Sequence, residues 1–192
     1  MREIRDTIVN LRESPLYEYR TKNNYFPVIG EGNHNADIVF IGEAPGKREA
    51  ETARPFCGAA GRVLDELLES IKLDRRDVYV TNIVKDRPPN NRDPKPEEIA
   101  LYSPFLLEQI EIIEPKVIAT LGRFSMQFIL ETFGMKEIGA TISRLHGKKL
   151  TAVTPEGEVF IVPLYHPAVA LYNSNTKKTL LEDFQVLKNI VS

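Results

Sequence analysis

The run Ile38 to Gly46, IVFIGEAPG, constrains the fold more than any other part of this chain. An apolar strand passes straight into a Gly/Pro turn that holds one acidic side chain, Glu43. Open α/β sheets bind their ligands at the carboxyl ends of such strands. Gly42 and Gly46 let backbone approach a ligand closely, and Pro45 fixes the turn. Two further junctions end in polar groups: VYVTNIVKDRPPNNR presents Asn82 and Asn91, and VFIVPLYHPA presents His166. A carboxylate, two amides and an imidazole at the ends of separate strands can converge on one pocket, with Phe56 in the loop between the first of these strands and its helix.

The rest of the chain supports an α/β reading. MREIRDTIVNLRE is amphipathic and predicts a first helix, and a short strand is expected around Pro27 to Gly30. AGRVLDELLESI places Val63, Leu64, Leu67, Leu68 and Ile71 on one helical face. Pro96 followed by Glu97 and Glu98 makes a helix start, with acids where the macrodipole favours them. KVIATLG reads as a buried strand, RFSMQFILETF as a helix, LTAVTPEGEVFIVPLY as two strands turning at Pro155 to Gly157, and TLLEDFQVLKNIV as the last helix. Strand and helix alternate four times, the pattern of a parallel sheet covered on both faces.

Composition removes several function classes. At 192 residues the chain suits one domain, spanning 1–192, and no apolar run approaches the roughly 20 residues of a membrane span. The N-terminus lacks a signal-like apolar core, which predicts a cytoplasmic protein. A single cysteine, Cys57, excludes an intrachain disulfide and a cysteine-built metal cage. The net charge of −2 says little about nucleic acid, because local basic clusters decide phosphate binding. Such clusters occur at Lys85, Arg87 and Arg92, at Arg144, His146, Lys148 and Lys149, and at Lys177 and Lys178.

The motifs themselves also discriminate. Gly46 is followed by Lys47 and Arg48 rather than by the Gly-Lys-Ser/Thr of a Walker loop, and the dinucleotide fingerprint is absent. Phe56 lies in RPFCG, off any periodic apolar face, where a rigid aromatic suits stacking on a planar base. Its neighbours supply nothing to activate Cys57 as a nucleophile. His34 and His146 lie in polar loops without evident partners, whereas His166 ends an apolar strand and is followed by Pro167.

Taken in order, GEAPG, ARPFCGAAGRVL, TNIVKDRPPNNRDPKPEE and YHPAVAL make the chain resemble a family 4 uracil-DNA glycosylase from about Gly30 onward. The resemblance implies a three-layer α/β/α fold with a central four-stranded, mainly parallel sheet. It implies hydrolysis of the N-glycosidic bond of uracil in DNA, leaving an abasic site for base excision repair. Glu43 and Glu49 then belong to the first motif, with Gly42 lining the uracil site. Phe56 stacks on the flipped base, Asn82 reads the uracil amide edge, Asn91 with Glu49 orients water, and His166 meets the uracil O2. The DNA itself is expected to meet Arg87, Arg92 and the loop holding Pro167, Ala168 and Leu171, with Leu171 as an apolar wedge. The partner implied is uracil-containing DNA, met by a monomer, with no membrane.

The chain also departs from that family. Family 4 enzymes usually hold an iron–sulfur cluster on four cysteines, and the corresponding positions here are Leu11, Ser14, Asp86 and Tyr102. No thiolate remains to ligate a cluster, so the expectation is a protein without cofactor or metal, its N-terminal region held by packing around Leu16, Tyr17, Tyr19 and Tyr102. Ala50, Ala53 and Tyr172 replace an acid, a glycine and an arginine. Two alternatives stay open at this point: a module that binds or covalently traps uracil-DNA without turnover, and a glycosylase for another deaminated base such as hypoxanthine or xanthine.

Overall fold

The computed structural model describes residues 1–154 and 157–191. Helices α1 (Arg2–Val9) and α2 (Tyr17–Lys22) precede strands β1 (Glu31–Gly32) and β2 (Ile38–Gly42). A short α3 (Lys47–Thr52) and a longer α4 (Ala59–Ser70) lead to β3 (Tyr79–Asn82), and α5 (Pro96–Ile113) leads to β4 (Val117–Leu121). Then come α6 (Arg123–Thr132), α7 (Ile142–Leu145), the antiparallel pair β5 (Leu150–Thr154) and β6 (Gly157–Leu164), and finally α8 (Ser174–Val191).

The sheet runs β1-β3-β2-β4-β6-β5. Its four central strands are parallel, as expected, but two antiparallel edge strands widen it to six. The short strand expected at Pro27 to Gly30 forms later, at Glu31–Gly32, where it pairs with Val80 and Tyr79. Of the predicted turn at Pro155 to Gly157, the first two residues lie outside the described ones, and Gly157 opens β6.

Every residue of β2 is buried, because helices cover both faces. Its side chains alternate between two cores. Val39 and Ile41 join Ile4, Ile8, Tyr102 and Leu106 on the face covered by α1 and α5. Ile38 and Phe40 join Leu64, Leu67, Phe184 and Leu187 on the face covered by α4 and α8. The period of two along the strand thus produces three layers. After β3 the chain crosses to the other side of β2 to form β4, so strand order reverses about β2. Crevices at such reversals are where open α/β sheets hold ligands.

Candidate active site

The carboxyl ends of the parallel strands surround a cavity of about 490 Å³. Glu43, Phe56, Asn82, Asn91, His166 and Glu49 all line it, so the three junctions picked out in the sequence meet in space. Asn82 is the last residue of β3, and the Gly42 that ends β2 is its register partner. A Cβ at Gly42 would collide with the Asn82 Oδ1 and the Phe56 ring, so only glycine lets the amide and the aromatic close on that strand end. Gly122, which follows β4, has φ +101°, a conformation that L side chains rarely adopt, and a Cβ there would lie a tight 3.3 Å from the His166 Cβ.

Phe56 has φ 48°, a conformation that costs a bulky residue energy and that persists only where the surroundings impose it. Its ring centroid lies 5.6 Å from that of His166, the two rings inclined by 30°. Asn90 and Asn91 are also left-handed, at φ 56° and 53°, and turn Asn91 toward the rim of the cavity. Glu49, in the first turn of α3, accepts a hydrogen bond at Oε1 from the Gly58 N–H (3.3 Å).

Electrostatics separate the two most important groups. Desolvation, reinforced by Asp93 and opposed by Arg123, raises the Glu43 carboxyl to about 7. Burial lowers His166 to about 4, so its ring is neutral at physiological pH. The Ala168 N–H donates to His166 Nδ1 (3.2 Å). An imidazole nitrogen that accepts carries no proton, which leaves the ring proton on Nε2. His166 is therefore held as a neutral N–H donor.

The basic residues behave differently from expectation. Arg87 was expected on DNA, but it is 9% exposed and its guanidinium is turned inward. Nε donates to Asn91 Oδ1 (2.7 Å), and Nη1 donates to the hydroxyls of Tyr25 (2.9 Å) and Tyr19 (3.2 Å). It therefore orients Asn91, leaving the Asn91 amide free to donate. Arg92 lines the cavity while its guanidinium donates to the buried Glu98 carboxylate (2.5 and 2.9 Å). His146 is not unpartnered either: Asp183 holds its Nδ1 at 2.8 Å. The turn Pro167–Leu171 presents Ala168 to the cavity and leaves Leu171 44% exposed.

Sequence reasoning missed Asp93, which lines the cavity and acts on Glu43, and Arg123, which faces Asp93 across 3.5 Å. Asp93 is adjacent to Arg92 in the second motif, but nothing in the sequence shows that α6 begins opposite it. A larger groove, about 880 Å³, lies between the end of α5 and the β5–β6 pair. It gathers apolar side chains and glutamates but none of the strand-end groups, so the smaller cavity is the candidate site.

A profile of the uracil DNA glycosylase superfamily matches residues 29–188. The chain belongs to that superfamily. The type-4 uracil-DNA glycosylase of Archaeoglobus fulgidus is 46% identical over 178 residues, 93% of this chain and 86% of the relative. That of Sulfurisphaera tokodaii is 42% identical over 191 residues, 99% of this chain and 84% of the relative. A type-5 uracil-DNA glycosylase of Pyrobaculum aerophilum is 29% identical over 93% of this chain and 80% of the relative. The identities assign the chain to the type-4 group of the uracil DNA glycosylases.

The four positions read from the resemblance as cysteine equivalents carry no thiol in this chain. Leu11, Ser14, Asp86 and Tyr102 are all buried, and the last three form one hydrogen-bonded chain. The Ser14 and Tyr102 hydroxyls share a 2.8 Å hydrogen bond, and the Tyr102 hydroxyl donates to Asp86 Oδ2 (2.6 Å). Arg20 Nη1 donates to both Asp86 oxygens (3.0 and 3.1 Å) and to the Ile8 carbonyl (3.1 Å), while Nη2 donates to the Val9 carbonyl (2.6 Å). A buried aliphatic side chain beside a hydroxyl, a carboxylate and a phenol that are committed to one another does not fit an iron–sulfur cluster. The expected packing around Leu16, Tyr17, Tyr19 and Tyr102 is joined by an ion pair, Arg20–Asp86, that ties α1, α2 and the loop after β3 together. Among the described residues no group of three or more His, Cys, Asp or Glu side chains is arranged to hold a metal, and no helix is long and apolar enough to cross a membrane.

Proposed function

We propose that this chain is a monofunctional uracil-DNA glycosylase, hydrolysing the N-glycosidic bond of a flipped uracil to leave an abasic site for base excision repair. The observation that carries the reading is the fixed tautomer of His166. Its Nε2–H is the ring's free donor in a cavity it shares with Asn82 and Phe56. Cleavage sends charge onto uracil as an anion and onto the sugar as an oxocarbenium-like cation. A neutral donor at the uracil O2 stabilises the anion as it forms, without the cost of burying an imidazolium.

Phe56 supplies the stacking surface for the base. The Asn82 amide gives one hydrogen bond and accepts another from the imide edge of uracil, and cytosine presents the opposite pattern there. Glu43, when ionised, stands against the cationic sugar. Asn91 donates and Glu49 accepts, which suits them to hold the attacking water between them. Leu171, exposed in the turn Pro167–Leu171, is suited to fill the stack that the flipped base vacates. None of these steps draws on an iron–sulfur cluster, and we propose that the enzyme works without one, as a cytoplasmic monomer on uracil-containing DNA.

The test is a cleavage assay on matched oligonucleotides with one uracil, hypoxanthine, xanthine or cytosine, followed by alkali. Multiple-turnover scission at uracil, lost in His166→Ala, is the expected result. A denaturation-resistant adduct without turnover would replace this reading with a trapping module, although an Nε2–H histidine is a poor nucleophile. Scission confined to a deaminated purine would move the substrate.

A further inference from the structure

Beneath Asn82 lies a lysine with no carboxylate partner among the described residues. Lys85 is 0% exposed. Its Nζ donates to the Asn82 carbonyl (2.7 Å), to Thr81 Oγ1 (2.7 Å) and to Gln109 Oε1 (2.6 Å). Three oxygens match the three N–H bonds of an ammonium. Those oxygens are themselves held: the Thr81 hydroxyl donates to the Ile29 carbonyl (2.7 Å), and Gln109 Nε2 donates to that carbonyl (3.0 Å) and to the Tyr79 hydroxyl (3.1 Å). Burial pushes the Lys85 amine well below its ordinary pKa. A methionine would fill the same space without that penalty, so the position provides hydrogen bonds rather than volume.

The main chain shows what those bonds hold. Past the end of β3, the Ile83 and Val84 N–H groups donate to the carbonyls of Gly42 (3.1 Å) and Glu43 (3.0 Å), and the Val28 N–H donates to the Lys85 carbonyl (2.8 Å). The segment is thereby stitched to the exit of β2 while the lysine side chain folds back onto Asn82. We propose that Lys85 is the positioning residue for Asn82: its Nζ clamps the Asn82 main-chain carbonyl and so aims the side-chain amide at the base without touching DNA. This rests on Asn82 reading the uracil edge, as set out above.

The experiment is a double-mutant cycle read by single-turnover uracil excision, with duplex affinity and thermal unfolding measured for each protein. Lys85→Met is expected to slow excision roughly 10- to 100-fold, the range for a small misplacement of a catalytic geometry, with duplex affinity within about twofold. In the Asn82→Ala background the same change is expected to cost less than about threefold, because a residue acting through Asn82 has nothing left to aim. Equal losses in both backgrounds overturn the proposal, as does a Lys85→Met rate equal to wild type. An Asn82→Ala enzyme as fast as wild type overturns the reading of Asn82 itself, a distinct result that removes the ground for positioning it. Should Lys85→Met fail to fold, Thr81→Val, which removes one acceptor of the ammonium at constant shape, enters the same cycle under the same criterion.

Discussion

Two polar centres flank the loop after β3, joined by consecutive residues, and they follow opposite rules. Asp86 looks back into the N-terminal network, where Arg20, Tyr102 and Ser14 answer one another and the last carbonyls of α1. Arg87 looks forward to Asn91 and the cavity. In the first centre polar groups are saturated with partners, which is how buried polarity is made tolerable. In the second, the Glu43 carboxyl has no hydrogen-bond partner among the described residues and is raised to about 7, and His166 is lowered to about 4 with Nε2 left free. The difference teaches that saturation holds the fold, whereas groups left short of partners are the ones that the proposed function assigns to the substrate.

The largest effect that would break this comparison is expected at Asp86. Asp86→Ala strands the buried Arg20 guanidinium and should destabilise the protein by about 3–5 kcal/mol in urea unfolding. A loss below about 1 kcal/mol would mean that the network is not structural. His166→Ala should do the reverse, lowering single-turnover excision by roughly 10²- to 10³-fold, the range for one oxyanion donor. Its unfolding midpoint should stay near that of wild type. Phe56→Ala should weaken excision by about 1–3 kcal/mol through the lost base stack, and an unchanged rate would remove Phe56 from the site.

A pH profile sharpens the comparison further. Because Glu43 is raised from 4.5 to about 7, its ionised form is disfavoured in the folded protein. Stability from this group is present below pH 4.5 and is lost as pH rises toward 7, while activity that needs the carboxylate grows over the same interval. Excision should fall about tenfold per pH unit below 7, with no separate limb from His166 above pH 5, and Glu43→Gln should flatten the profile. A limb that survives in Glu43→Gln belongs to another group. The smallest effect is expected for Tyr102→Phe, about 1 kcal/mol of stability from one lost donor to Asp86, with excision unchanged.

Strand ends carrying Glu43, Asn82 and His166 were legible because buried parallel strands are continuous apolar runs, and the polar residue that interrupts each one marks the sheet's edge. Phe56 was legible because it lies off any apolar period. The edge strand β5 was expected and β1 was misplaced, since a two-residue strand leaves no periodic trace. Arg87 was misread for a different reason: an arginine among prolines looks the same in sequence whether it faces phosphate or two tyrosine hydroxyls some 60 residues earlier in the chain. Asp86 and Tyr102, 16 residues apart, showed only that they were not cysteines.

By itself the sequence determined the α/β alternation, the residues at the strand ends and the absence of thiolates for a cluster, because these depend on local period and composition. Only the tertiary structure decided which groups share a partner. It joined Ser14 to Tyr102 across 88 positions, turned Arg87 inward, fixed the His166 proton on Nε2 and buried Lys85 beneath Asn82. Protonation and hydrogen bonding depend on burial and on distances of about 3 Å between remote residues, and no one-dimensional pattern carries those.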